Sequence, residues 1–169
     1  NWDKWHIYIG DERFLPAGHK DRNDQTINEI WLDNSPIPKN NIHFIKAELG
    51  LLEARLEYEN TLKKIDKFDV VLLSMGDDGH IASLFPGHLY SKDADVIVEY
   101  NSPKLPNKRI SISYRKLNKT HNVFKIILGQ PKRQAISLIF QGYDLPINRV
   151  YGEVEKIFIH SSAIPIGGK

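Results

Sequence analysis

Phe68-Asp69-Val70-Val71-Leu72-Leu73-Ser74-Met75, followed at once by Gly76-Asp77-Asp78-Gly79-His80, is the stretch that decides the fold class. Its first part is a nearly continuous apolar run rich in β-branched residues. Strands covered on both faces of a parallel sheet have this composition. The run then breaks into glycines and acidic residues. Glycine admits positive φ and lets a ligand approach the backbone closely. In open α/β sheets, ligands bind beyond the carboxyl ends of strands, where loops lead away. The position of the 76–80 loop therefore makes it the leading candidate for a site.

Similar short runs occupy residues 5–9, 42–45, 96–100, 109–113, 123–128 and 156–160. Residues 109–113 alternate in polarity instead, which suits a half-exposed or edge strand. Helical patterns lie between several of these runs. Asn23 and Asp24 are candidate N-caps for a helix through Trp31, stopped by Ser35-Pro36-Ile37-Pro38. Leu51, Ala54, Tyr58, Leu62 and Ile65 share one face of an expected helix over 51–65, with Glu53, Glu57, Lys63 and Lys64 opposite. A third helix is expected after Pro131, running to Phe140. Strands alternating with helices predict an α/β fold with a mostly parallel sheet. Residues 101–108 read as a surface loop, and no internal repeat or linker divides the chain.

The bulk composition narrows the function. A length of 169 residues suits one domain. Cysteine is absent, so disulfide scaffolds, thiolate metal sites and cysteine nucleophiles are excluded. No apolar run approaches the ~18 residues of a membrane-spanning helix, and no signal peptide pattern opens the chain. A cytoplasmic protein with no membrane partner is expected. Lys and Arg total 23 against 21 Asp and Glu, a balance that gives no basis for a nucleic-acid partner. The basic pairs Lys63-Lys64 and Lys132-Arg133 read as solvated surface.

Chemistry concentrates at two strand ends. In the 76–80 loop, His80 is suited to accept a proton from water near neutral pH, and a neighbouring aspartate can hold its tautomer. A helix starting there would offer free amides to an oxyanion. A metal site from Asp77, Asp78, His80 and His88 is the competing reading, but these residues lack a defined ligand spacing. Metal-free catalysis is therefore preferred. At the other strand end, Gly10-Asp11-Glu12-Arg13 carries both charge signs. Arg13 offers a planar fork for phosphate or carboxylate, and the carboxylates can accept hydrogen bonds from sugar hydroxyls. A surface ion pair is the plain alternative.

The run Met75-Gly76-Asp77-Asp78-Gly79-His80-Ile81-Ala82-Ser83-Leu84-Phe85-Pro86-Gly87 closely resembles the signature of the 6-phosphogluconolactonases, within the superfamily they share with glucosamine-6-phosphate isomerases. Gly10-Asp11-Glu12-Arg13 with Arg22-Asn23 resembles that family's other signature. Weaker matches are Arg109-Ile110-Ser111-Ile112-Ser113 with Leu117-Asn118, and Gly129-Gln130-Pro131-Lys132. The resemblance implies a Rossmann-like three-layer sandwich with a mostly parallel sheet. It implies hydrolysis of 6-phospho-D-glucono-1,5-lactone to 6-phospho-D-gluconate without cofactor or metal, the second step of the oxidative pentose phosphate pathway. In that reading His80 is the general base and Asp78 its orienter or a hydroxyl ligand. Arg13 binds the anionic or carbonyl end of the substrate, and Asp11 positions hydroxyls or the histidine. Gly79, Arg109 and Lys132 are further substrate-binding candidates.

Family members carry a strand, a glycine-rich loop and a helix before the Asp-Glu-Arg strand. The expectation is thus a single sugar-phosphate lactonase domain over residues 1–169 without that front segment. The tail, residues 161–169, is expected to be irregular. A glucosamine-6-phosphate deaminase-like isomerase shares the Asp-Gly-His loop, but the Ser83-Leu84-Phe85-Pro86 continuation favours the lactonase. A non-catalytic sugar-phosphate-binding fragment is the third reading. The sequence does not indicate an oligomeric state.

Overall fold

The computed structural model describes residues 1–165. Among them are the strands β1 (Ile7–Tyr8), β2 (Asp11–Arg13), β3 (Ile42–His43), β4 (Phe68–Ser74), β5 (Val96–Glu99), β6 (Arg109–Ile112), β7 (Thr120–Ile127) and β8 (Val154–Ile159). The α-helices are α1 (Asn23–Ile30), α2 (Leu51–Leu62), α3 (Tyr114–Leu117) and α4 (Arg133–Phe140). The fold class is α/β, as expected. Contacts divide the chain into two compact units, residues 1–64 with 96–112 and residues 65–95 with 113–169.

In the first unit, β1 pairs with β3 in parallel, while β2, β6 and β5 form an antiparallel sheet in that order. Pairing in this unit is thus mixed, while among the described residues the sheets are mostly parallel, as expected. Two sequence expectations change here. Residues 11–13, expected as the loop beyond a strand end, form a strand themselves: Asp11, Glu12 and Arg13 pair with Ser111, Ile110 and Arg109. Residues 109–112, within the 109–113 run expected to be half-exposed or at an edge, form the central strand, and all four are buried. The alternation of Arg109, Ile110, Ser111 and Ile112 was misleading because the polar members find partners inside. Helix α2 follows its expected face: Ala54, Tyr58 and Leu62 are buried. Tyr58 donates its hydroxyl to the Ile9 carbonyl at 2.8 Å, so burying this phenol strands no polar group.

In the second unit, β4, β7 and β8 form a parallel sheet in that order. Val71, Leu73, Val123 and Ile127 turn inward from it and are buried. The expectation that β4 is covered on both faces fails, since Leu72 is 65% exposed and Val70 46%. The same face carries the exposed Val154, in the register row of Val70, and the exposed Ile126 and Phe158, in that of Ser74. Pro131 lies in a 3-10 turn, Gln130–Lys132, that leads into α4. Residues 161–163 form a further 3-10 turn, 164 and 165 are irregular, and residues 166–169 of the expected irregular tail lie outside the described residues.

Candidate active site

The 76–80 loop leaves the carboxyl end of β4, as its sequence suggested, but no helix follows it. Two turns do, and the Ile81–Leu84 bridge closes the first of them. A helix N-terminus is therefore not available here to an oxyanion, which corrects the expectation. Gly76 donates its amide to the His80 carbonyl at 2.8 Å, which folds the loop back on itself. Gly79 sits at φ +90°, a region that favours glycine, and accepts the Ile147 amide at 3.2 Å.

Within this loop the side chains of Asp78 and His80 meet. Nδ1 of His80 lies 2.5 Å from Oδ1 of Asp78, and the same oxygen accepts the His80 backbone amide at 3.0 Å. An ionised carboxylate can only accept, so the proton of the neutral ring resides on Nδ1 and the lone pair on Nε2. That is the tautomer a general base needs. The His80 side chain is 16% exposed, and that of Asp78 34%. Asp77, Asp78 and His80 also offer ligand atoms within 4.8 Å of one another, close enough for a cation. His88 is not in that group.

Lys132 belongs to the same unit. It ends the 3-10 turn beyond β7, the strand that pairs with β4, and is half-buried. The other expected substrate residues, Asp11, Arg13 and Arg109, belong to the first unit. There Arg13 and Arg109 are direct cross-strand partners, and Asp11 is on the same pair of strands. Arg13 donates from Nη1 to the Asp21 carbonyl at 2.5 Å. Asn23 donates to both the carbonyl and the Oδ1 of Asp11, at 2.8 and 3.2 Å.

Arg109 is buried rather than a solvated surface cation. Its guanidinium donates to the carbonyls of Lys104, Leu105 and Pro106 at 3.0 to 3.2 Å, clamping the loop expected at 101–108. Burial draws its pKa down, with Arg13 acting in the same direction and Asp11 and Glu99 opposing.

Glu12 has a role that the sequence did not reveal. It is buried, and its carboxylate accepts the backbone amides of Arg13, Asn23 and Asp24 at 2.7, 2.8 and 2.9 Å. Helix α1 is thus capped from a neighbouring strand instead of by Asn23 or Asp24, and its N-cap residue, Arg22, makes no side-chain cap. Burial raises the Glu12 pKa, and the three amides pull the other way. Arg22 is itself buried and pairs with Asp24 at 2.6 Å and Glu48 at 2.8 Å, with Glu12 3.9 Å away. Nothing in the sequence marks Glu12, since Asp11, Glu12 and Arg13 are all charged and no alternation picks it out as the inward residue.

Residues 1–159 match the family described as glucosamine-6-phosphate isomerases/6-phosphogluconolactonase. A probable 6-phosphogluconolactonase 4 of Arabidopsis thaliana is 34% identical over 183 residues, covering 96% of this chain and 70% of that protein. The chloroplastic 6-phosphogluconolactonase 3 of the same plant is 34% identical over 152 residues, and the chain spans about half of its length, 47%. The crystal structure of 6-phosphogluconolactonase from Thermotoga maritima superposes with a TM-score of 0.87 at 31% identity, covering 94% of this chain and 73% of that one. The match runs through both strand-end motifs, and the chain belongs to the glucosamine-6-phosphate isomerase/6-phosphogluconolactonase family.

Proposed function

We propose that the chain hydrolyses 6-phospho-D-glucono-1,5-lactone to 6-phospho-D-gluconate, the lactonase step of the oxidative pentose phosphate pathway, by His80-assisted attack of water. The observation that carries this reading is the 2.5 Å contact between His80 Nδ1 and Asp78 Oδ1, which leaves Nε2 as a base. Family membership and the names of the relatives support the choice of substrate.

The chemistry follows from the pair. Nε2 takes a proton from water as its oxygen attacks the lactone carbonyl. The imidazolium that forms is stabilised by Asp78. When the tetrahedral intermediate collapses, the bond from the carbonyl carbon to the ring oxygen breaks, and Nε2 returns its proton to that oxygen. The product carboxylic acid then ionises in water. Asp11, Arg13, Gly79, Arg109 and Lys132 are the proposed substrate-binding residues, and their support is the match to the family's motifs. The carbonyl clamp makes Arg109 the least available of these.

No helix among the described residues is long and apolar enough to cross a membrane. A cytoplasmic site of action is part of the proposal. The test is lactone hydrolysis against the spontaneous rate, with the wild type and His80→Ala. Equal rates for the two would reject His80 catalysis. Ammonia release from glucosamine 6-phosphate without lactone turnover would assign the deaminase reaction instead.

A further inference from the structure

The His80 ring has a second support besides Asp78. It packs against the Phe85 ring, with centroids 4.6 Å apart and planes 34° apart. Phe85 is fully buried, so the placement of its backbone sets one wall of the histidine's position. The chain between the two residues is under strain. Ala82 sits at φ +44°, a left-handed conformation that an L-residue holds only where its surroundings impose it.

The amide of Ile81 donates to Leu84 at 3.3 Å, and that of Leu84 donates back at 2.8 Å. These two bonds close the turn but leave the next amide, Phe85, outside it. That amide donates to the hydroxyl of Tyr90 at 2.9 Å, and the same hydroxyl lies 3.4 Å from the Ser83 carbonyl, to which it donates. One phenol oxygen thus ties the two backbone groups that flank Leu84. The Tyr90 ring is itself set between His88, at 6.2 Å, and Tyr114, at 6.3 Å in an edge-on arrangement. Tyr114 has the Arg149 guanidinium 5.9 Å over its ring, and Arg149 is held by Asp144 at 2.9 Å.

We propose that Tyr90 is a positioning residue for His80, its hydroxyl fixing the strained 81–85 turn so that Phe85 holds the imidazole against Asp78. The proposal rests on the lactonase reading for its catalytic consequence. Tyr90 acts through Phe85 and takes no proton in the reaction. A hydroxyl that both accepts and donates is required, so phenylalanine, with the same ring, lacks what the turn uses.

The experiment compares wild type with Tyr90→Phe, which removes one oxygen and keeps the aromatic packing. Two readouts are taken on folded protein, checked by its thermal midpoint. The first is exchange of the His80 Nδ1 proton with water, followed by NMR, which does not depend on activity. The expected result is exchange about three- to tenfold faster in Tyr90→Phe, the range of one neutral hydrogen bond. The second is lactone turnover, where kcat falls by a similar factor, about three- to tenfold, and KM is unchanged. A general loss of folded protein would not produce that split once active sites are counted.

Unchanged Nδ1 exchange overturns the proposal even if activity falls. Unchanged kcat in an active wild-type background overturns it as well. A wild type without lactone turnover, but with faster exchange in Tyr90→Phe, sinks the lactonase reading and leaves the positioning role supported.

Discussion

Asp78 and His80 share one oxygen atom in two bonds: Oδ1 of Asp78 faces Nδ1 of the ring at 2.5 Å and accepts the backbone amide of the same residue at 3.0 Å. The backbone bond fixes where the loop turns, and the ring bond fixes which nitrogen carries the proton. Loop geometry and tautomer are thus set by a single side chain.

Asp78→Asn tests that coupling. An amide can present its NH2 to Nδ1 and so favour the wrong tautomer, with the lone pair on Nδ1. Lactone kcat is expected to fall by about a hundredfold or more, with KM little changed. His80→Ala is expected to be at least as damaging to kcat. Steady-state kinetics on both variants checks this, and wild-type turnover in Asp78→Asn would remove the tautomer from the mechanism.

Gly76 and Gly79 are required for different reasons. A Cβ on Gly76 would stand 2.0 Å from Nδ1 of His80, so Gly76→Ala must drive the imidazole off Asp78. A Cβ on Gly79 would meet Leu145 Cδ1 at 2.6 Å, on a backbone already at φ +90°. Gly76→Ala is expected to cost activity more than stability. Gly79→Ala is expected to cost about 1–3 kcal/mol of stability through strain and overpacking. Denaturant unfolding beside lactone assays separates the two, and the reverse pattern would show that the loop is read wrongly.

Glu12→Ala is expected to destabilise the fold by about 2–4 kcal/mol, because it leaves three half-buried amides without their acceptor and removes one carboxylate from the surroundings of the buried Arg22. Glu12→Gln keeps an oxygen acceptor and is expected to lose less, about 1 kcal/mol. Urea midpoints decide it. Equal losses would mean that the negative charge matters more than the acceptor.

Glu153 supplies a pH dependence. Its carboxyl is pulled down from 4.5 to about 2, first by the hydrogen bond from His121 and then by that from Lys67. Because the folded value lies below the ordinary one, the interaction favours the folded state above about 4.5 and is lost as pH falls through about 2. Titration of the carboxyl carbon by NMR is expected to give a midpoint near the lower figure. His121→Ala and Lys67→Ala should each move it upward. A wild-type midpoint in the ordinary carboxylate range would mean that the trio does not persist in solution.

The two motifs differed in how much of their role could be read. The 76–80 loop was legible because strand, glycines and histidine are local: the partners of His80 lie within a few residues. Asp11-Glu12-Arg13 was legible as chemistry but not as structure. Its strand exists only because β6, almost a hundred residues later, pairs with it, and the middle residue turned out to cap a helix. Arg109 shows a different limit: its carbonyl partners are the nearby Lys104, Leu105 and Pro106, but residue type alone does not mark an arginine as buried and turned onto its own loop.

Residue order alone carried the α/β class, the family, and the placing of Asp78 and His80 together in one strand-end loop. Hydrophobic period and short-range motif spacing carry that information locally. The tertiary structure decided the rest: which strands run antiparallel, that β6 is central and not an edge, that Glu12 serves α1, and that Tyr90 reaches the turn beside His80. Each of these depends on pairing or packing between segments whose neighbourhood is set only when the chain folds, because a buried polar group takes whatever partner the fold brings within hydrogen-bond distance.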